Sequence, residues 1–284
     1  MAELIELHKS YPALSLRRFA DAVGVASYRL RDFVRGEQHR HQRQEREQEL
    51  RGVVKALALA HPTYGHRPLH QELKARGVKI GREKVRRVLG ALGLNPAPVK
   101  TSRKPAPDVS TAPEYPAGRR VQIDATQVAV AVGKVWVYLV QDVPSRACLA
   151  IRVVRSLSRE AAREVLDEGV KVLRQLGFDE PLVVQSDAGS DFTSARFQRF
   201  CQSLGCWARS KVNHKGGMGI LERLNRTFKH QWLFRHEYTT SSEVQALADR
   251  FKTWYNRERR HSTLAYQTPW SVLAQPATVE LTPT

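Results

Sequence analysis

Six prolines fall between Asn95 and Gly118, at positions 96, 98, 105, 107, 113 and 116, with Lys100, Arg103 and Lys104 among them and no periodic apolar pattern. Proline lacks an amide donor and holds φ near one value, so neither a helix nor a central strand runs through such a stretch. Residues 96–118 therefore read as an extended basic linker, and the chain must fold in separate parts on either side of it. The two sides differ in kind. Before the linker, apolar residues recur at intervals of three and four; after it, they come in short runs rich in Val, Ile, Trp and Tyr.

In residues 15–36, SLRRFADAVGVASYRLRDFVRG, Leu16, Phe19, Ala20 and Val23 have helical spacing, Gly24 and Val25 make a turn, and Leu30, Phe33 and Val34 resume it. This pattern predicts a helix-turn-helix DNA-binding region within 1–47. Its second helix would turn Ser27, Tyr28, Arg29 and Arg31 outward, where a recognition helix needs donors. A small helical hairpin with a solvated basic face fits the same segment equally well. The charged stretch EQHRHQRQEREQEL reads as an exposed helix leading to a second helix-turn-helix-like module over 48–95. There Pro68 can open one helix, Gly77 can close it, and an extended VKI leads to another. That last helix keeps Val85, Val88 and Leu89 on one side, while Arg82, Lys84, Arg86 and Arg87 lie largely elsewhere. A winged or helical spacer, charged for solubility, is the alternative.

The charge balance favours a polyanionic partner. The 284 residues hold 46 Lys and Arg against 28 Asp and Glu, a formal net charge of +18. Of these, 24 basic and only 12 acidic residues precede position 121, so the excess is concentrated on the amino-terminal side. The second half keeps more of its carboxylates. The three cysteines, Cys148, Cys201 and Cys206, have neither the number nor the spacing of a disulfide framework or a zinc site, and read as reduced thiols in or near a core. No apolar run is long enough for a bilayer and the amino terminus has no signal-peptide pattern, so the expected location is cytoplasmic, with no membrane partner.

From Arg119 to residue 276 the pattern is three strands (RVQIDATQVAV, KVWVYLVQDV, CLAIRVV), a helix at about 159–176, the strand PLVVQSD, a helix near 194–204 and a short strand at WARS. That order predicts an α/β ribonuclease H-like core: a mixed five-stranded sheet with flanking helices, preceded by all-α modules. Residues 277–284 read as a tail. Asp124 sits in the first strand, sharing a face with Gln122 and Thr126; a lone strand aspartate is unfavourable and needs compensation. Asp187 closes the strand LVVQS, and in this fold the two strands are neighbours. Asp191 lies beyond Gly189, placed to meet solvent or to cap the helix that starts near Ser194. A helix from about Ile220 puts Leu221, Leu224, Phe228 and Trp232 on a packing stripe, with Glu222, Asn225, Arg226 and Lys229 on an outward polar one. Glu222 alone could be an ordinary surface glutamate. Three converging carboxylates would instead make a hard oxygen site for Mg²⁺ or Mn²⁺.

The segments IDATQV, QSDAGSDFTS, GILERLNRTFK and WYNRERRHSTLAYQTP, in this order and setting, resemble the motifs of the DDE transposases of the insertion-sequence-three type, relatives of retroviral integrases. The first helical region and TYGHRPLHQELKARG resemble the DNA-binding modules that precede the core in that family. The resemblance implies that Asp124, Asp187 and Glu222 are catalytic metal ligands for two Mg²⁺ ions, with Mn²⁺ able to substitute. It implies that Asn225, Arg226 and Lys229 lie where the catalytic helix approaches DNA. Tyr255, Asn256, Arg260 and His261 match the tail motif, as support or DNA contact. Thirty-four residues separate Asp187 from Glu222, one fewer than is usual in the family. The implied partners are double-stranded DNA (transposon ends and target), a second copy of the chain or a higher oligomer, and an upstream-frame DNA-binding protein. The implied setting is bacterial and nucleoid-associated. The implied reaction is DNA cleavage and strand transfer; a non-catalytic DNA-binding regulator or targeting subunit derived from a transposase is the alternative, and it would not need all three carboxylates.

Overall fold

The computed structural model describes residues 1–96, 115–209 and 218–275. Most of the expected linker, most of the 211–219 loop and the 277–284 tail lie outside the described residues. The chain divides into two compact units, with the border at Lys100 and Thr101. Among the described residues no helix is long and apolar enough to cross a membrane.

Among its described residues the first unit contains five helices: α1 (Ala2–Lys9), α2 (Leu16–Ala22), α3 (Ser27–Ala60), α4 (His66–Ala75) and α5 (Arg82–Ala91). Ser15 caps α2 by accepting the Arg18 amide at 3.4 Å. Gly24, at φ 68°, makes the left-handed turn into α3 that a side chain would disfavour. Ile5, Phe19, Ala20 and Leu30 form a small core there. A second set of buried residues, including Val54, Leu57, Leu69, Leu73, Val85 and Leu89, closes α4 and α5 against the far end of α3. Between these cores, residues 37–49 of α3 are exposed on every side. The 34-residue helix runs unbroken through position 47–48, where the sequence suggested a boundary between modules. A helix polar all round persists when packed at both ends and carrying side-chain pairs such as Arg40 with Glu37 at 3.8 Å.

The second unit is built on β1 (Arg120–Ala129), β2 (Lys134–Asp142), β3 (Cys148–Val154), β4 (Leu182–Ser186) and β5 (Gly205–Arg209), in the order β3-β2-β1-β4-β5. β1, β2 and β3 pair antiparallel, whereas β4 runs parallel to both β1 and β5. This is the expected mixed five-stranded sheet. One face packs α6 (Arg159–Gln175) and α7 (Ala195–Leu204) on Val121, Ile123, Val140 and Val184. Gly169 lets α6 come close, since a Cβ there would stand 2.8 Å from Val140 Cγ1. The other face packs α8 (Gly219–Arg226) and α9 (Ser241–Arg257) on Val128, Val137, Leu139 and Ile151. A short α10 (Pro269–Leu273) ends the described chain.

Two local expectations need correction. After Arg226, α8 continues as a π-helical turn, Thr227–Trp232. The wider turn shifts the buried stripe by one residue, so Leu233 is fully buried while Trp232 is only partly so, stacked on Trp254 at 5.1 Å. Cys148 and Cys201 are buried free thiols, but Cys206 is exposed because it lies on the edge strand β5.

Candidate active site

Asp124 lies in the middle of β1, opposite Leu139 of β2. In the parallel pairing of β1 with β4, Gln122 stands beside Gln185. Asp187 follows one position past the end of β4, and its charge acts on Asp124. The third carboxylate arrives on α8. Gln122 Oε1 accepts the Leu221 amide at 3.2 Å and so ties the first turn of α8 to the sheet beside Glu222. Gln122 also donates to Gln185 Oε1 at 3.0 Å, and Arg120 donates to the same oxygen at 2.7 Å. A polar ladder across the sheet thus holds both strands and the helix that carry the three acids.

Asn225, expected on the outward face of the helix, is buried and turned to the sheet, where its Nδ2 donates to Asp124 Oδ2 at 2.7 Å. The other Asp124 oxygen accepts the Ala125 amide at 2.8 Å. These two bonds stabilise the carboxylate, but burial outweighs them, and the charges of Asp187 and Glu222 add to it, raising the Asp124 pKa to about 6. Lys229 is half-buried; desolvation lowers its pKa, and the Asp124 carboxylate opposes that shift.

Asp187 and Glu222 are exposed. Asp187 Oδ1 accepts the Gly189 amide at 2.9 Å, and a Cβ on Gly189 would come within 3.1 Å of the same oxygen. Asp191 is neither solvent-facing nor a cap: it is 5% exposed and accepts the Tyr138 hydroxyl at 2.6 Å. Ser194 caps α7 instead, accepting the Phe197 amide at 3.3 Å. The loop curls inward after Gly189, which buries Asp191 against β2.

Among the described residues no three acidic, histidine or cysteine side chains stand close enough together to hold a metal ion. The Asp124 charge interacts with both other acids, yet Asn225 takes one of its oxygens and the Gly189 amide takes one of Asp187's. In donor chemistry the set nevertheless fits a hard divalent cation: Asp124, on which the charges of Asp187 and Glu222 act, plus the buried Asn225 Oδ1, which has no hydrogen-bond partner.

Residues 115–209 and 208–269 match the family described as "Integrase core domain", and residues 45–101 match an "HTH-like domain". The chain is 25% identical over 235 residues to the uncharacterised 31.7 kDa protein of insertion element IS407 of Burkholderia multivorans, covering 76% of this chain and 78% of that protein. It is 24% identical over 223 residues to the transposase for insertion sequence element IS629 of Shigella sonnei, covering 74% and 73%. The chain belongs to the insertion-sequence-three transposases. The fold also matches a chain of the simian T-cell lymphotropic virus intasome solved with the PP2A regulatory subunit B56 gamma, at a TM-score of 0.50 and 15% identity, covering 79% of this chain and 75% of that one.

In the helical unit of this transposase, Tyr28 is 63% exposed, Arg29 and Arg31 are exposed, and Ser27 is half-buried, accepting from Arg31 at 3.1 Å. Arg82 and Arg87 are exposed on α5. Arg86 forks onto Glu83 through Nε, at 2.8 and 3.0 Å, and Lys84 faces Glu47 at 3.7 Å. In the core, Arg226 is exposed, while Arg260 donates to the Tyr266 carbonyl at 3.2 Å. The tail motif is partly structural: Asn256 bonds both the amide and the carbonyl of Cys148, each at 2.8 Å, pinning α9 to the start of β3. Gln122 and Gln185 were not among the expected site residues. Their signal was an amide side chain in each of two adjacent strands, Gln122 sharing a face with Asp124.

Proposed function

We propose that this transposase is a metal-dependent polynucleotidyl transferase, with Asp124, Asp187 and Glu222 as the ligands of two Mg²⁺ ions, replaceable by Mn²⁺. The observation that carries the reading is the half-buried Asp124, its charge opposed by those of Asp187 and Glu222. Such an arrangement is unfavourable alone and is relieved by a cation. Bound there, the ions would supply activation of the attacking hydroxyl and charge neutralisation at the leaving oxygen of a phosphodiester. The chain's own groups position the reaction. Gln122 anchors α8, Asn225 orients Asp124, and Lys229 and Arg226 hold DNA phosphates beside the acids. The exposed side chains of Tyr28, Arg29, Arg31, Arg82, Arg86 and Arg87, with Ser27, Lys84, Arg260 and His261, complete the DNA-binding surfaces. Substrates are double-stranded transposon ends and target DNA. Pairing two ends calls for a dimer or higher oligomer, aided by an upstream-frame DNA-binding protein, on the bacterial nucleoid.

The test is cleavage and strand joining on duplexes that carry the element's ends. Asp124→Asn, Asp187→Asn and Glu222→Gln should each abolish both steps in Mg²⁺ and Mn²⁺ while DNA binding persists. Normal joining by any one of the three would refute the ligand assignment.

A further inference from the structure

A second charged site lies on the same unit, where the β2–β3 turn meets the end of α9. Arg146 holds the left-handed position of that turn, at φ 64°, where glycine is the default. Gln141 Nε2 donates to the Arg146 carbonyl at 2.8 Å and fixes the strained backbone. Its guanidinium is partly buried, and Nη1 is fully enclosed without a hydrogen-bond partner. The nearby carboxylate, Asp142, is already committed to the amides of Gly118, at 3.0 Å, and Ser145, at 2.9 Å, and to the Ser145 hydroxyl.

More positive charge gathers around it. Arg259 places Nη1 3.0 Å from His261 Nε2 and lies over the Tyr255 ring at 5.7 Å; that ring meets His261 edge-on at 4.9 Å. Burial, together with the charges of Arg259, Arg146 and Arg223, pushes the His261 pKa down to about 3. Among the described residues none of these three arginines is ion-paired to a carboxylate. An enclosed guanidinium nitrogen without an acceptor, on a strained residue and among other cations, is an arrangement that an anion completes.

We propose that Arg146, Arg223, Arg259 and His261 form a phosphate-binding site that takes a backbone phosphodiester of a DNA strand. It rests on the reading that the chain works on DNA, but not on the carboxylates being catalytic. Arg223 follows Glu222 on α8, so a phosphate held here would lie beside the helix that carries the third acid. The site would hold a strand without reading its bases.

The test uses the full chain without divalent metal and a random-sequence duplex, with affinity measured against salt. Each phosphate contact contributes about 0.9 to the slope of log affinity on log salt. Arg146→Gly should raise the thermal midpoint by removing the left-handed arginine, yet flatten the slope by about 0.9. Adding Arg259→Gln should flatten it by about as much again, and Arg259→Lys should keep most of it. The ring signal of His261 should move when duplex is added, and move less with inorganic phosphate at equal ionic strength. A higher midpoint with unchanged slope in both variants would make Arg146 a turn residue only and overturn the proposal. So would a His261 signal that answers phosphate and ignores DNA. A chain that shows these shifts but joins no DNA in Mg²⁺ would support this site while refuting the catalytic reading.

Discussion

Both units are basic, yet they handle polar groups in opposite ways. Among the described residues, the buried polar and charged side chains, from Gln122 and Asp142 to Asn225 and Asn256, all belong to the sheet unit. The helical unit buries apolar side chains and puts Arg29, Arg31, Arg82 and Arg87 on its surface. A surface that grips phosphates through counterion release needs exposed charge and little else. A polar or ionisable group withdrawn from water, by contrast, requires partners. That is why Asp124, Asp142 and Asp191 come with donors at 2.5 to 3.0 Å while the helical arginines stand in solvent.

The sharpest break of this contrast lies in the packing itself. Phe251→Ala should cost about 3–5 kcal/mol in urea unfolding, because the ring is fully buried between Phe228 and Tyr255. Next comes Asp191→Asn. It weakens the bond from the Tyr138 hydroxyl, which ties the loop carrying Asp187 to β2, and should cost about 1–3 kcal/mol with a fall in strand joining. Stability loss without any fall in joining would make Asp191 a packing residue alone.

Asp124→Asn should act in the opposite direction. The folded acid titrates at about 6, above its ordinary value of 3.8, so the native state binds the extra proton and its stability falls as pH rises between those values. Removing the charge should therefore stabilise the metal-free protein above pH 6, by about 1–3 kcal/mol, with the gain vanishing below pH 4. An equal gain at pH 3 would point to packing rather than charge. The smallest expected effect belongs to the helical unit: Arg87→Gln should change stability by less than about 0.5 kcal/mol, but flatten the salt dependence of DNA binding by about 0.9.

Strand order and the placement of Asp124 and Asp187 were legible in the sequence because short β-branched runs and an aspartate at a strand end are strong local signals. What stayed hidden depends on packing between elements. Helical periodicity assigned Asn225 to the polar stripe, but the half-buried Asp124 carboxylate across the interface draws its amide inward. The π-helical turn after Arg226 changes the period where the local pattern gives no warning. Asp191 looked like a solvent-facing or capping residue because its partner, Tyr138, lies 53 positions away. The exposed middle of α3 shows no apolar period, so only the cores at its ends reveal one continuous helix.

The most direct measurement is the thermal midpoint of the full chain with and without Mn²⁺, at pH 5 and pH 7, for the wild type and for Asp187→Asn. Protonation of Asp124, with its pKa near 6, competes with the ion at the lower pH. The wild type should gain stability from Mn²⁺ at pH 7, clearly less at pH 5, and Asp187→Asn should gain little at either. If Mn²⁺ stabilises Asp187→Asn as much as the wild type, or stabilises neither at pH 7, Asp124, Asp187 and Glu222 do not form the metal site.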